Sequence, residues 1–184
     1  SRLLDINYPI IQGPFGGNFS SAKLVSTVSN LGGMGSFGLH SYSPEDILKI
    51  NAVIRSQTSN PYALNLWVPL HDDPASSFTL KEFEKVQKSF KPYFDSVGAE
   101  MPHEIRKNNQ DFDAQVEAVL EAQPPVVSFI FGIPSPDLVK AFRKKEIIMI
   151  ATATSTHEAI AIKEAGLDAV VASGIEAGGH KSSF

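Results

Sequence analysis

The sequence predicts an α/β protein built on a parallel β-sheet, either an open doubly wound sheet or a (β/α)8 barrel. Short apolar runs rich in β-branched and aromatic residues alternate along the chain with segments of helical periodicity, as in repeated βαβ units. The runs are almost continuously apolar, which is typical of strands buried on both faces of a parallel sheet. The handedness of parallel crossovers then leaves mainly these two architectures.

Six segments are predicted to form strands, at residues 10–12, 35–37, 62–66, 126–131, 147–151 and 169–172. Five helical segments lie between them, at residues 21–29, 44–57, 111–122, 135–144 and 155–165. The last helix has the clearest boundaries, because Ser155 or Thr156 can cap its N-terminus and Gly166 can end it.

The alternation of strands and helices is interrupted between residues 67 and 110, where one further helix is predicted at 80–90. This insertion follows the third strand. If that strand points its carboxyl end at the active face, the insertion is either a lid over that face or a surface for docking a partner. We interpret residues 1–184 as a single domain, with residues 67–110 as an insertion or lid within it.

The composition excludes several classes of protein. With 184 residues, 42% of them hydrophobic and 20% charged, the chain has the composition of an ordinary globular protein. A net charge of −4, with no basic run longer than Arg143–Lys145, argues against nucleic-acid binding. Neither a membrane-spanning run nor a signal-peptide core is found, so we expect a cytoplasmic protein, in the cytosol or inside an organelle. The absence of cysteine removes disulfides, thiolate metal sites and cysteine nucleophiles.

The candidate site residues follow predicted strands, where the carboxyl ends of a parallel sheet meet. Gly13, Pro14 and Phe15 follow the first strand, in a loop whose backbone N–H groups could approach a planar ring or a phosphate; an ordinary βα turn is the alternative. Asn65 ends the third strand. Its amide must find partners, which are either the neighbouring backbone or a ligand.

The segment after the sixth strand carries the most specific signal. Residues 172–181 combine flexible glycines with Glu176 and His180. A histidine moves its proton near neutral pH, and Gly178 and Gly179 let it approach a flat cofactor. The alternative is a solvated loop histidine.

Other motifs are interpreted as structural. The G-x-G-x-x-G string at Gly33–Gly38 follows a helix and lacks the acidic residue of a dinucleotide site, so it is expected to turn the first helix into the second strand. The segment His71–Asp73 has no second histidine at ligand spacing and is interpreted as a polar loop, so no metal site is expected. His40, His103 and His157 receive no role.

Taken together, several blocks resemble the nitronate monooxygenase family, formerly called 2-nitropropane dioxygenases. The blocks are residues 9–15, 31–35, 65–67, 151–155 and 165–180. They follow one another in order through the whole chain. The last block is the most specific, although FMN-dependent enoyl-acyl-carrier reductases carry a similar E-x-x-G-H pattern.

The resemblance implies a TIM barrel that binds FMN at its carboxyl-terminal face and oxidises alkyl nitronates with O2 to a carbonyl compound and nitrite. His180 would be the catalytic residue, as a base toward neutral nitroalkanes or a polar partner for the anionic nitronate. The implied cofactor-binding residues are Gly13, Pro14 and Phe15 along the flavin ring, Asn65 as a hydrogen-bonding partner, and Thr152, Ser173, Gly178 and Gly179 from the strand ends.

The resemblance also implies that this chain supplies only part of a barrel. A TIM barrel takes about 250 residues and eight strands, whereas this chain supplies about six βα units. We therefore expect the C-terminal part of the barrel to come from the same or another chain, and the first and sixth strands to present unpaired edges. The oligomeric state, including a homo-oligomer, is left open.

Two other functions stay in consideration. One is a flavin barrel that uses NAD(P)H to reduce an enoyl thioester. The other is a non-catalytic partial barrel that binds a partner through its open edges or its insertion.

Overall fold

The computed structural model describes residues 2–16, 19–69, 79–104 and 110–184. The helices are α1 (Ala22–Asn30), α2 (Pro44–Gln57), α3 (Leu80–Val97), α4 (Phe112–Ala122), α5 (Pro136–Lys144) and α6 (Thr156–Glu164). The strands are β1 (Gly35–Gly38), β2 (Tyr62–Trp67), β3 (Val126–Ile130), β4 (Ile148–Ala153) and β5 (Ala169–Ala172). Of the helices in these ranges, none is both long and apolar enough to cross a lipid bilayer.

The strand order decides between the two predicted architectures. The sheet runs β1-β2-β3-β4-β5, and every neighbouring pair is parallel. Because each strand pairs with the next one along the chain, right-handed crossovers place the connecting helices on one side of the sheet. A doubly wound sheet would instead reverse its order at a switch point. The described strands are therefore ordered as in part of a (β/α)8 barrel, and the doubly wound alternative is wrong.

Both faces of the central strands are covered. The larger core lies between sheet and helices and contains, among others, Leu64, Leu66, Val127, Phe129, Met149, Val119, Phe142 and Ile162. The opposite face packs a smaller cluster, made of Leu4, Ile6, Met34, Ala63, Val126 and Ile150. Burial on two faces explains why the strands are continuously apolar in sequence.

The first predicted strand, residues 10–12, forms less than expected. Only one parallel bridge is made, between Ile11 and Met34. Two backbone hydrogen bonds support it, from Met34 N to Ile10 O at 3.0 Å and from Gln12 N to Met34 O at 2.9 Å. Ile10 and Ile11 are 61% and 45% exposed, because this segment is paired on one side only in the described structure. Five named strands therefore replace the predicted six.

The other end of the sheet is also open. Although β5 pairs with β4, Val170 and Val171 stay 39% and 43% exposed. Within the described residues, no strand lies beyond β5 or beyond the segment around Ile11. These are the two unpaired edges that the sequence predicted.

Glycine fixes the turn from α1 into β1, as predicted for the G-x-G-x-x-G string. A Cβ atom on Gly35 would lie 2.2 Å from the backbone oxygen of Val25 in α1, far inside van der Waals contact. Gly35 therefore lets α1 pack directly on the sheet. Within the string, Gly35 therefore serves helix–sheet packing.

The remaining boundaries follow from local chemistry. Ser155 caps α6 through a hydrogen bond from the Glu158 N–H, and Gly166 ends the helix with a φ of +84°. The strand β3 stops at Ile130, one residue earlier than predicted, because Phe131 has a φ of +65° that no strand residue adopts.

Residues 71–109 form a second compact unit, inside the predicted insertion at 67–110. Its helix α3 starts with a capping box between Thr79 and Glu82 and ends at Gly98, which has a φ of +64°. The helix is seven residues longer than expected, since it continues through Pro92 to Val97. The lid role of this insertion stays a prediction.

Candidate active site

A cavity of about 860 Å³ lies at the carboxyl ends of the strands. Its walls come from the loop after the Ile11 bridge, from the ends of β1, β2 and β3, and from the segment after β5. The structure thus brings together most of the residues nominated from the sequence, namely Gly13, Pro14, Phe15, Asn65, Gly178, Gly179 and His180. The volume falls within the range of small-molecule and cofactor sites.

The other two nominated residues lie elsewhere. Ser173 lines a smaller neighbouring cavity of about 280 Å³, which also reaches Gly179 and His180. Thr152 lines neither cavity. It lies on β4 two residues after Ile150, on the same face of the sheet as Asn65, because Asn65 and Ile150 are both in register with Ser128 of β3.

The loop at Gly13–Phe15 is held in place from both sides. The side-chain amide of Gln12 donates to Ser36 O and accepts from Ser36 N, both at 3.2 Å. The Ser20 hydroxyl accepts from Phe15 N at 2.9 Å and donates to Phe15 O at 2.8 Å. A Cβ on Gly38 would lie 3.0 Å from Phe15 O, so glycine lets the loop approach β1 closely.

Asn65 bonds to the neighbouring strand β3, which is one of the two alternatives that the sequence left open. Its side chain is buried, and Nδ2 donates to the Ser128 carbonyl at 3.2 Å and to the Ser128 hydroxyl at 3.0 Å. The residue also lines the large cavity. The contacts with β3 fix which end of the amide is the nitrogen, so Oδ1 is the atom that remains to accept a hydrogen bond from a ligand.

Sequence reasoning missed an aromatic cluster beside His180. The His40 ring stacks on Trp67 with centroids 3.7 Å apart, and His180 meets the edge of Trp67 at 5.2 Å. Phe131 also contacts Trp67, at 5.0 Å. His40 received no role from the sequence, although it lies only three residues after the second predicted strand.

The two histidines interact electrostatically. Partial burial, and secondly the charge of His180, lower the pKa of His40 below its ordinary value of 6.5. His40 is therefore mainly neutral at pH 7.

A buried carboxylate ties the end of β4 to the segment after β5. Glu158, at the N-terminus of α6, accepts from both the backbone N–H and the hydroxyl of Thr154. Its other oxygen accepts from Phe184 N at 3.2 Å. Burial alone would raise the pKa of Glu158, but these hydrogen bonds outweigh it and leave the pKa below the ordinary value.

The described residues contain no cluster of metal-ligating side chains. The segment His71–Asp73, interpreted as a polar loop, lies outside the described residues.

Fold and cavity together define a barrel-type α/β protein with a large cavity at the carboxyl ends of its parallel strands. The sequence model of the family described as nitronate monooxygenase matches residues 1–184. The chain belongs to the nitronate monooxygenase family, which confirms the resemblance found in the sequence.

Individual relatives agree with this assignment. The chain is 38% identical over 184 residues to a probable nitronate monooxygenase of Staphylococcus aureus strain MSSA476, and 38% identical to one of Staphylococcus haemolyticus. Each alignment covers 100% of this chain and 50% of the relative. The chain thus spans about half the length of the curated relatives it matches.

Two solved structures also match nearly all of this chain with about half of their own length or less. Nitroalkane oxidase from Streptomyces ansochromogenes superposes with a TM-score of 0.83 at 28% identity, over 97% of this chain and 50% of the oxidase. FabK from Thermotoga maritima superposes with a TM-score of 0.70 at 24% identity, over 97% of this chain and 44% of FabK. The second likeness shows a shared fold only.

Proposed function

We propose that the protein binds FMN in the large cavity and oxidises alkyl nitronates with O2 to a carbonyl compound and nitrite. The observation that carries the proposal is the cavity itself, because it gathers Gly13–Phe15, Asn65 and Gly178–His180 from three distant parts of a chain that belongs to this family.

The residues present fit a flavin. Cβ atoms built on Gly13, Gly16, Gly178 and Gly179 meet no protein atom within 4 Å, so these glycines leave bare backbone along the cavity. Bare backbone can approach a planar ring closely and offer N–H groups to it. Phe15 is 50% exposed and supplies an apolar surface for one ring face. When bound, the flavin supplies the electron-transfer and O2 chemistry that the protein's side chains lack.

The chain's own residues then bind and orient. We assign the Asn65 amide and the backbone of Gly13, Gly178 and Gly179 to cofactor binding, with Pro14 and Phe15 along the ring. Thr152, near the end of β4, and Ser173, directly after β5, are assigned to line the cofactor on the family resemblance. These assignments rest on the family resemblance together with the shared cavity.

We assign His180 the role of the catalytic base or polar partner of the substrate. Its imidazole lines both cavities and carries the only titratable group that the sequence nominated there. Toward a neutral nitroalkane it would act as a base that removes the α-proton. Toward a preformed nitronate no proton needs to be removed, and a protonated imidazole would bind the anion instead.

The remaining half of the barrel is part of the proposal. We propose that a C-terminal part, from the same or another chain, pairs with the edges at Ile11 and β5 and completes the site. The substrates are a nitronate or nitroalkane and O2.

The first experiment is a visible absorption spectrum of the purified protein, with any co-purifying polypeptide, before and after anaerobic addition of a nitronate. Flavin bands that bleach or change shape on addition support the proposal. Mass analysis of the released flavin distinguishes FMN from other flavins. A protein that takes up no FMN contradicts it, and rapid NAD(P)H consumption without any nitronate reaction would favour the enoyl reductase instead.

A His180→Ala variant separates the two roles of the imidazole. Loss of a general base costs about 10²- to 10⁴-fold in rate, so turnover of a neutral nitroalkane should fall by at least about a hundredfold. Turnover of the nitronate should fall less, and flavin content should stay constant. The matched control is His157→Ala, because His157 is exposed on α6. Unchanged turnover of both substrates would show that His180 is not catalytic.

A further inference from the structure

The aromatic cluster at the cavity contains rings from four separate segments. His40 follows β1, Trp67 ends β2, Phe131 follows β3 and His180 follows β5. Trp67 lies at the centre of the cluster, because each of the other three rings contacts it. The cluster therefore depends on the register of the sheet and not on any single loop.

The sheet register places His40 opposite Trp67. Gly38 pairs with Asn65 across β1 and β2, so the residues two positions further on, His40 and Trp67, lie side by side. Their rings are stacked with an interplanar angle of 20°. With centroids 3.7 Å apart, the two rings lie nearly face to face in van der Waals contact.

The backbone beneath His40 is fixed by one buried side chain. Gln115 of α4 donates from Nε2 to Leu39 O and to Tyr42 O, both at 2.9 Å, and more distantly to His40 O at 3.4 Å. The loop that carries His40 is thus held to the core on both sides of the histidine.

Phe131 gives an independent indication that the cluster is functional. Its φ of +65° is unfavourable for a bulky L-residue. Strain of this kind persists where the surrounding structure enforces it, and it concentrates at functional sites. Here it directs the phenyl ring toward Trp67, and toward His180 with centroids 6.2 Å apart.

We propose that His40 is a positioning residue, which stacks on Trp67 and thereby fixes the orientation of the His180 imidazole in the cavity. The proposal rests on the proposed catalytic role of His180 for its effect on turnover, but not for its effect on structure. His40 acts through its flat neutral ring, in agreement with its lowered pKa.

The structural test needs neither flavin nor substrate. The ring current of Trp67 shifts the Cε1–H resonance of His180, which is assigned by its loss in His180→Asn. In His40→Ala this resonance should move, because Trp67 loses the ring that orients it. In His40→Phe, which keeps a flat ring, it should stay near its original position. His157→Phe is the matched control, since His157 is an exposed histidine outside the cluster.

Turnover of a nitroalkane supplies the second readout. A misplaced reacting group costs about ten- to a hundredfold in rate, so kcat of His40→Ala should fall by at least about tenfold with a smaller change in KM. His40→Phe should restore kcat to within about threefold of the original protein, because its ring stacks similarly. Gln115→Met, which frees the loop backbone without touching the ring, should move the resonance and kcat in the same direction as His40→Ala.

Two results would overturn the proposal. One is a His40→Ala variant with the His180 resonance unmoved. The other is a His40→Phe variant that loses as much turnover as His40→Ala, which would mean that the imidazole acts by its own polar atoms. If the original protein oxidises no nitronate, the proposed function fails, while the NMR comparison still decides whether His40 positions His180.

Discussion

Replacing Gln115 by methionine should destabilise the protein by about 2 kcal/mol. Methionine keeps the length of the side chain but removes the amide that donates to Leu39 O and Tyr42 O. Leaving a buried acceptor without its donor costs about 1–3 kcal/mol. Leu39 O keeps a second donor, Tyr42 N at 3.0 Å, so its loss lies near about 1 kcal/mol. The bond to Tyr42 O is only partly buried, and its loss adds about 1 kcal/mol. The third contact, to His40 O at 3.4 Å, is too long to add much.

Urea denaturation followed by Trp67 fluorescence measures this loss, because Trp67 is the only tryptophan of the chain. With a slope of about 2 kcal/mol per molar urea, a loss of about 2 kcal/mol lowers the midpoint by about 1 M. Glu117→Met is the matched control, since Glu117 is exposed on the same helix and surface changes stay within about 0.5 kcal/mol. Equal midpoints for the two variants would refute the assignment of Gln115 as the residue that holds the loop.

Three further predictions concern single groups. In His180→Asn the pKa of His40, followed by imidazole NMR, should rise but remain below 6.5, because burial is the larger cause of its lowering; no rise would mean that the two rings do not interact. Gly35→Ala should cost at least about 3 kcal/mol in urea denaturation, since its Cβ would lie 2.2 Å from a backbone oxygen of Val25; a loss below about 1 kcal/mol would contradict this packing. Glu158→Gln should lose stability above the unfolded pKa of about 4.5, where the lowered folded pKa keeps Glu158 ionised. That difference should vanish as the pH falls through the folded pKa, and a pH-independent difference would be the contrary result.

Much of the sheet could be predicted because burial on both faces leaves a clear trace in sequence. The run at Tyr62–Trp67 is apolar except for Asn65, and it forms β2, which is paired on both sides. The first strand could not be predicted in the same way. Ile10 and Ile11 are as apolar as any strand residue, but strand formation there depends on partners beyond the segment. The local sequence of a segment does not indicate how many other strands pair with it.

The candidate site was predictable only in part, for a similar reason. Asn65 is recognisable because it is the polar residue within the apolar run Tyr62–Trp67, and His180 because it follows two glycines in the segment after the last strand. His40 lies two residues after β1, and its importance lies in its contact with Trp67. That contact depends on the register in which Gly38 pairs with Asn65, and register between distant segments cannot be read from either segment alone.

The left-handed backbone at Phe131 has a consequence for engineering. Asparagine tolerates this conformation better than phenylalanine does, so Phe131→Asn relieves part of a strain of about 1–3 kcal/mol but gives up the ring contacts with Trp67 and His180. Where the relieved strain exceeds the lost contacts, a screen that selects variants by heat resistance favours losing the ring. Stability and site geometry therefore favour different residues at this position. Variants selected for thermal stability alone would gain stability while the rings of Trp67 and His180 lose a packing partner.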